Sequence, residues 1–244
     1  MFRAVSLFFL LMCCSLSNPS HANVQVEING GVYVFEGNPR LAEVLAPLAQ
    51  QQNWYWPSAQ LFNLELSSVE KQRHELLQDL KDEATTDGVV NPNYQMLISE
   101  ISNWRLADRI QIEIDFELAR FSLAANPRFE NGNYLLHLAQ RPKYIYVFGA
   151  VQIPATLSSP DNQCLHSVIK DMVRLDIADP SYVYLILPTG KIEKVAVAYW
   201  NRGCVIAMPG SLVYVPIRES QWFNTAKIIN QKVTALALNR VPSQ

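Results

Sequence analysis

The stretch from Arg105 to Pro154, RLADRIQIEIDFELARFSLAANPRFENGNYLLHLAQRPKYIYVFGAVQIP, decides the fold. Ile110, Ile112 and Ile114 alternate with Gln111, Glu113 and Asp115, the pattern of a half-buried strand that runs on toward Glu117. Asn126-Pro127 and Glu130-Asn131-Gly132-Asn133 are turn sequences, and Tyr134 to Leu138 reads as the next strand. Arg141-Pro142-Lys143 then marks a boundary. Beyond it, Tyr144 to Val151 is nearly all apolar, so one small sheet ends here and a second begins.

Working outward toward the N-terminus, Val24, Val26 and Ile28 alternate up to Asn29-Gly30-Gly31, and Val32 and Val34 resume the alternation. Asn-Gly tolerates the positive φ angles of tight hairpin turns. Asn38 and Pro39 suit a helix cap and first position, with Leu41, Val44, Leu45 and Leu48 on the inner face. Hairpin followed by helix is the opening of a β-grasp unit. Trp54-Tyr55-Trp56-Pro57 follows; its rings could stack on sugars or close the first core. Ser67 to Ala84 is expected to be helical, with Ser67 and Glu70 as a capping box and Asp87-Gly88 as the break. Asn91-Pro92 starts a second helix with Tyr94, Leu97, Ile101 and Trp104 on one side. These two helices form a hairpin inserted at about residues 67–106, after which the first sheet resumes.

Toward the C-terminus the same order recurs. Two strands over Tyr144 to Val151 and Gln152 to Thr156 turn around Gly149 and Ala150, and Cys164 to Val173 reads as a short helix. Tyr182 to Leu187 and Lys191 to Tyr199 pair around Pro188-Thr189-Gly190, and Cys204 to Ala207 and Leu212 to Ile217 close the sheet. In the tail, 218–239, Trp222, Ala226, Ile229, Val233 and Leu236 form an apolar stripe widened by Phe223 and Ile228. Such a helix packs on its own domains, docks on a partner or exchanged copy, or lies on a membrane surface; a polar face poor in Lys and Arg speaks against the last.

The ordered series Arg109, Asp115, Arg120, Asn126-Pro127, Gly132, Arg141-Pro142 and Val147-x-Gly149 resembles the GfcC family of periplasmic proteins attached to group 4 capsule and related exopolysaccharide operons. Asp108 stands where the family pattern has glycine, and Gly132-Asn133 where it has Gly-Asp. The resemblance covers nearly the whole chain after residue 22. It implies an α+β fold of two β-grasp domains related to soluble domains of the polysaccharide export channel. These would span 23–142 and 143–217, with the helical hairpin in the first and an amphipathic helix at 218–239. An unrelated α+β periplasmic binding module is the rival from sequence alone. The family also implies a pocket arginine, matched best by Arg109 and next by Arg120.

The first 22 residues combine Arg3, an apolar run from Leu7 to Cys14, and Ser20-His21-Ala22 as a small-x-small cleavage site, a secretory signal ending before Asn23. Cys13 and Cys14 invite a lipoprotein reading, but Met12 occupies a position where lipidation wants a small residue. The run is far short of the roughly 20 residues that cross a bilayer. No later stretch resembles a transmembrane helix. Two cysteines remain after cleavage. An even pair in an exported chain predicts one disulfide, Cys164 to Cys204, staying within the second domain. A formal net charge of -2 without a Lys/Arg cluster points away from nucleic acid as a partner.

No compact constellation for catalysis stands out. Glu113, Asp115 and Glu117 share a strand face by parity, and two carboxylates could in principle cut a glycosidic bond, but that needs them on opposite sides of it. His74-Glu75 lacks a second histidine, because position 78 is Gln78, so no zinc site is expected. Neither metal nor cofactor is called for. Arginine offers more: its planar fork grips an anionic sugar, a phosphate or a C-terminal carboxylate by two parallel hydrogen bonds. Arg109, Arg120 and Arg141, with Trp54 and Trp56, are the candidate binding residues. Equally open for Arg109 is a structural role, paired with Asp108, Asp115 or a backbone carbonyl. The expected function is a non-catalytic accessory to capsule or exopolysaccharide assembly or export, binding the polymer or a component of the export machinery. A polysaccharide-modifying enzyme using the strand carboxylates is the alternative.

Overall fold

A computed structural model describes residues 23–65, 68–86, 89–159, 161–220, 222 and 224–242. The expected signal segment, the Ser67 cap, the Asp87-Gly88 break, Pro160, Gln221 and Phe223 lie outside the described residues. The chain forms two mixed sheets with interspersed helices and a C-terminal helix. In chain order, β1 (Asn23–Ile28), β2 (Gly31–Glu36), α1 (Leu41–Leu45) and β3 (Gln60–Asn63) precede the insert. The insert is α2 (Ser68–Ala84), a small β-ladder of β4 (Thr85–Thr86) and β5 (Val89–Val90), and α3 (Asn93–Ser102). Then β6 (Asp108–Ile110), α4 (Phe116–Phe121) and β7 (Gly132–His137) complete the first sheet, in the order β2-β1-β7-β3-β6. The second sheet uses β8 (Tyr144–Gly149), β9 (Ala155–Ser158), β10 (Tyr182–Ile186), β11 (Ile192–Ala196) and β12 (Leu212–Val215), with α5 (Leu165–Val168) after the first hairpin and α6 (Thr225–Ala237) at the end. Its order is β11-β10-β12-β8-β9. In both sheets the first strand pairs antiparallel with its hairpin partner and parallel with the last strand.

The first hairpin turns on Asn29 and Gly30, both at positive φ (48° and 85°), as the Asn-Gly sequence requires. The register places Val24 opposite Phe35 and Val26 opposite Tyr33. Tyr33 and Phe35 therefore lean on the core, and Val32 and Val34, expected to continue the apolar face, are 58% and 64% exposed. Beneath this hairpin α1 supplies Leu41, Val44 and Leu45. Asn38 is not its cap. Asn38 Nδ2 donates to Phe129 O, and the helix start is closed from across the chain by Asn126 Oδ1, which accepts from Ala42 N at 3.0 Å. The Asn126-Pro127 turn thus fixes the helix it packs beside.

The near-continuous apolar run of β8 reflects burial on both faces. Ile145 and Val147 join Val183, Leu185 and Val213 over α5, while Phe148 faces Tyr214 and Ile186 in a second core. That second core is closed by helices. Leu76 and Leu80 of α2, Leu97 and Ile101 of α3, and Ile229, Val233 and Leu236 of α6 all belong to it. The insert leaves the first sheet in sequence yet covers the second sheet in space. Lys232 of α6 pairs with Asp79 of α2 at 2.5 Å, and Asn230 reaches the sheet, accepting from Tyr214 Oη (2.8 Å) and Ile217 N (3.0 Å). Ala226, Ile229, Val233 and Leu236 of the tail's apolar stripe are therefore buried against their own chain, and Ile228 stays 47% exposed. The helix is shorter than expected, starting after Asn224; Trp222 lies outside it and is 87% exposed. Past α6 the chain returns to the first sheet, where Asn239 O accepts from Ala107 N and Val241 N donates to Arg105 O.

Other expected bounds shift as well. β6 stops at Ile110, β9 begins only at Ala155 because Pro154 has no N–H for a ladder, and α5 stops at Val168. Cys204 to Ala207 is not a strand; an isolated bridge joins Ile206 to Cys164. Cys164 and Cys204 are disulfide-bonded, with Cα atoms 4.9 Å apart.

Candidate functional site

Arg109 sits mid-way along β6, at the edge where the two sheets meet. Its backbone N–H donates to Asn239 Oδ1 at 2.9 Å, which pins the strand to the returning tail. Its side chain leaves the first sheet altogether, and Nη2 donates to Pro188 O in the β10–β11 turn. Of the structural pairings open from sequence, the backbone carbonyl is the one present; no carboxylate lies within 4.0 Å of the guanidinium among the described residues. Nε is buried and has no hydrogen-bond partner. Burial lowers the Arg109 pKa to about 10. An arginine stays charged even so at neutral pH, so a buried cation with spare donors is held at the seam between the sheets.

Two hollows flank it. On one side a cavity of about 130 Å³ is lined from the first sheet by Gln60 and His137, from the second by Tyr144 and Tyr146, and from the tail by Arg240. None of its lining residues carries a carboxylate. Burial lowers the His137 pKa, which keeps its imidazole neutral. Tyr146 Oη donates to Glu100 Oε1 at 2.6 Å, and burial and then Glu100 push its pKa up to about 12. Arg240 stacks over Tyr146 at 4.2 Å and lies 3.9 Å from the same carboxylate. Glu100 thereby ties the insert, the second sheet and the tail together behind the cavity. On the other side of Arg109 an open cleft of about 440 Å³ is bounded by Trp56, Gln111, Glu113, Asp115 and Thr189.

Of the residues singled out from sequence, Arg109 and Trp56 share this cleft. Trp54 does not line either hollow; its Nε1 donates to Leu48 O at 2.9 Å and its ring packs on the first core. Arg120 lies on α4, 3.3 Å from Glu117 and stacked on Phe116 and Phe121. Arg141 pairs with Asp161 at 2.7 Å and stacks on Tyr55, a clasp between the two sheet units. The shared strand face of Glu113, Asp115 and Glu117 is not formed. Asp115 is the N-cap of α4, its Oδ1 accepting from Leu118 N at 2.9 Å, and Glu117 lies in the first helical turn. A carboxylate that satisfies a helix start and one paired with Arg120 do not face each other across a bond to be cut. His137, Tyr146, Arg240 and Pro188 were not among the candidate binding residues, because no local pattern in the sequence links them. Each comes from a different element.

Among the described residues no cluster of His, Cys, Asp and Glu could hold a metal ion, and no helix is long and apolar enough to cross a membrane. Comparison with known proteins assigns the family. Residues 20–141 match the description "Capsule biosynthesis GfcC, N-terminal" and residues 158–242 match "Capsule biosynthesis GfcC C-terminal". The chain belongs to the GfcC capsule-biosynthesis family, whose members are periplasmic accessory proteins of polysaccharide assembly and export. Among its relatives is the uncharacterized protein YjbG of Escherichia coli (strain K12), 29% identical over 210 residues that cover 84% of this chain and 80% of the relative.

Proposed function

We propose that this protein is a non-catalytic periplasmic accessory to capsule or exopolysaccharide assembly and export, and that the Arg109 seam holds an anionic group of the polymer or of an export-machinery partner. The observation that carries this is Arg109 itself: a buried guanidinium with an unpartnered Nε and no carboxylate within 4.0 Å among the described residues, between a cavity lined without carboxylates and a cleft that also carries Glu113 and Asp115. Leaving a buried donor unpaired costs roughly 1–3 kcal/mol, which an incoming anion would recover. Trp56, which lines the cleft, offers an apolar ring to a sugar. The fold fits the reading. Each sheet opens with a hairpin and a helix and ends on a central strand parallel to the first, which supports two β-grasp domains, 23–142 and 143–217, related to soluble domains of the export channel. The tail segment 218–239, with α6 at Thr225–Ala237, then follows the second domain.

The test pairs fold with output. Arg109→Ala is expected to abolish surface polysaccharide in cells while leaving the thermal midpoint of the purified protein unchanged or raised, since a buried cation is removed. Arg109→Lys should rescue poorly, because one ammonium cannot replace the planar fork. Normal polysaccharide from a stably folded Arg109→Ala protein would defeat the assignment.

A further inference from the structure

Beyond β11 the chain makes a tight turn that carries two of the most exposed aromatic rings in the molecule. Tyr199 is 85% and Trp200 72% exposed. The turn is nevertheless fixed. Arg202 N and Asn201 N both donate to Ala198 O, at 2.9 and 3.1 Å, and Asn201 Oδ1 accepts from Ala198 N at 3.1 Å. Val197 N reaches back to Ser181 O at 2.9 Å, and Cys204 anchors the far side through its disulfide to Cys164. The Arg202 guanidinium stacks over Tyr199 at 5.3 Å and has no carboxylate within 4.0 Å among the described residues. Isolated surface aromatics need no explanation, but adjacent rings and a free cation on a cross-linked turn present a prepared surface.

We propose that this turn is a second glycan contact: Trp200 and Tyr199 take the apolar faces of pyranose rings, and Arg202 takes the carboxylate of a uronate. The proposal rests on the reading that the protein works on polysaccharide, and adds a site and a chemical class to it. The turn lies at the opposite end of β11 from the Pro188 carbonyl that holds Arg109, roughly 17 Å away at about 3.3 Å per residue. The chemistry favours a glycan over the other partners of exposed aromatics. A contact built on Tyr199, Trp200 and Arg202 is far smaller than the roughly 20–30 residues a side of a stable protein interface. A bilayer would call for a basic cluster around the rings, and Arg202 stands without other Lys or Arg from Ala198 to Ala207.

The experiment uses the disulfide-bonded chain from Asn23 onward, labelled with fluorotryptophan, with the Trp200 fluorine resonance assigned through Trp200→Phe. The probes are an oligouronate, a neutral β-glucan oligosaccharide, and vesicles of phosphatidylglycerol and phosphatidylethanolamine. The oligouronate is expected to shift the Trp200 signal saturably in the parent. Trp200→Ala should weaken binding by about tenfold, the scale of one lost stacking contact. Arg202→Gln should weaken the oligouronate and spare the neutral glucan. A Trp200 signal that ignores both saccharides, one that moves only with vesicles, or a concentration-dependent dimer lost in Trp200→Ala would each overturn the proposal. Such a result beside an intact requirement for Arg109 in polysaccharide output would sink this site alone. A saturable Trp200 response beside normal output from Arg109→Ala would uphold this site and sink the other.

Discussion

Arg109 was legible as a residue type and a position; what it does depended on groups the sequence does not bring near it. A single arginine at a strand edge after an insert signals an anion clamp or a brace. Only the fold reveals that Pro188 takes one of its N–H groups and leaves Nε buried and unpaired. His137 is the companion case. Alternation placed it correctly at the end of a strand, but nothing local announced that this end lies under the second sheet. Its ordinary pKa is 6.5 and burial lowers it in the folded state. As pH falls below 6.5 the unfolded chain takes up a proton that the folded chain refuses, so this group's contribution is intact above 6.5 and is lost as pH falls toward the folded value. We expect the thermal midpoint of the parent to decline between pH 7 and pH 5 more steeply than that of His137→Gln. Parallel curves for the two proteins over that range would show that His137 does not sense the titration.

At the scale of elements, hairpins, the insert and both central strands were readable because turn chemistry and burial period agree there. Disagreement came where two local signals compete. Ile110 to Asp115 alternates like a strand, yet Asp115 followed by Glu117 is also a helix start, and the cap won. Val32 and Val34 look like a core face, but the two-residue turn fixes the register, and larger Tyr33 and Phe35 take the inner positions. Gly149 shows an element edge with no tolerance. Its φ is 107°, and an added Cβ would lie 2.3 Å from Val215 O and 2.6 Å from the Tyr214 ring. Gly149→Ala must strain the backbone and push apart the parallel β8–β12 pair, which should cost about 3 kcal/mol or more. Chemical denaturation of that variant, compared with Gly190→Ala in the β10–β11 turn, where φ is also positive (94°) but the added Cβ meets the Gln111 side chain and not a strand backbone, gives the measurement; equal losses would contradict it.

For the molecule as a whole, the sequence announced two similar units and a closing helix, and it could not announce where the helices go. Periodicity shows which face of a helix is apolar and is silent on which sheet receives it. The insert emerges from the first sheet, crosses to the second, and is locked there by α6, Lys232–Asp79 and the Glu100 carboxylate. Opposite that helix layer the Cys164–Cys204 bond closes a loop of 40 residues in the second unit. Chain-entropy arithmetic for a loop of that length gives about 4 kcal/mol. Reduction, or paired Cys164→Ser and Cys204→Ser, should lower stability by about that amount, read as a lower denaturation midpoint with a steeper slope, because the unfolded chain without the cross-link exposes more surface. Free thiols at both positions in folded protein would refute the bond directly.

The crossing of the insert onto the far sheet also sets an order of events for a chain that emerges N-terminus first. Leu76, Leu80, Leu97 and Ile101 appear early, but the strands and the α6 face that cover them lie between Tyr144 and Ala237. β1 likewise waits more than a hundred residues for its parallel neighbour β7. Throughout that interval an oily two-helix hairpin is left bare, a target for holdase chaperones and for self-association among nascent chains. Completion of the last helix is therefore the step that commits both halves to the native state, and a premature stop anywhere before it leaves the early half unshielded.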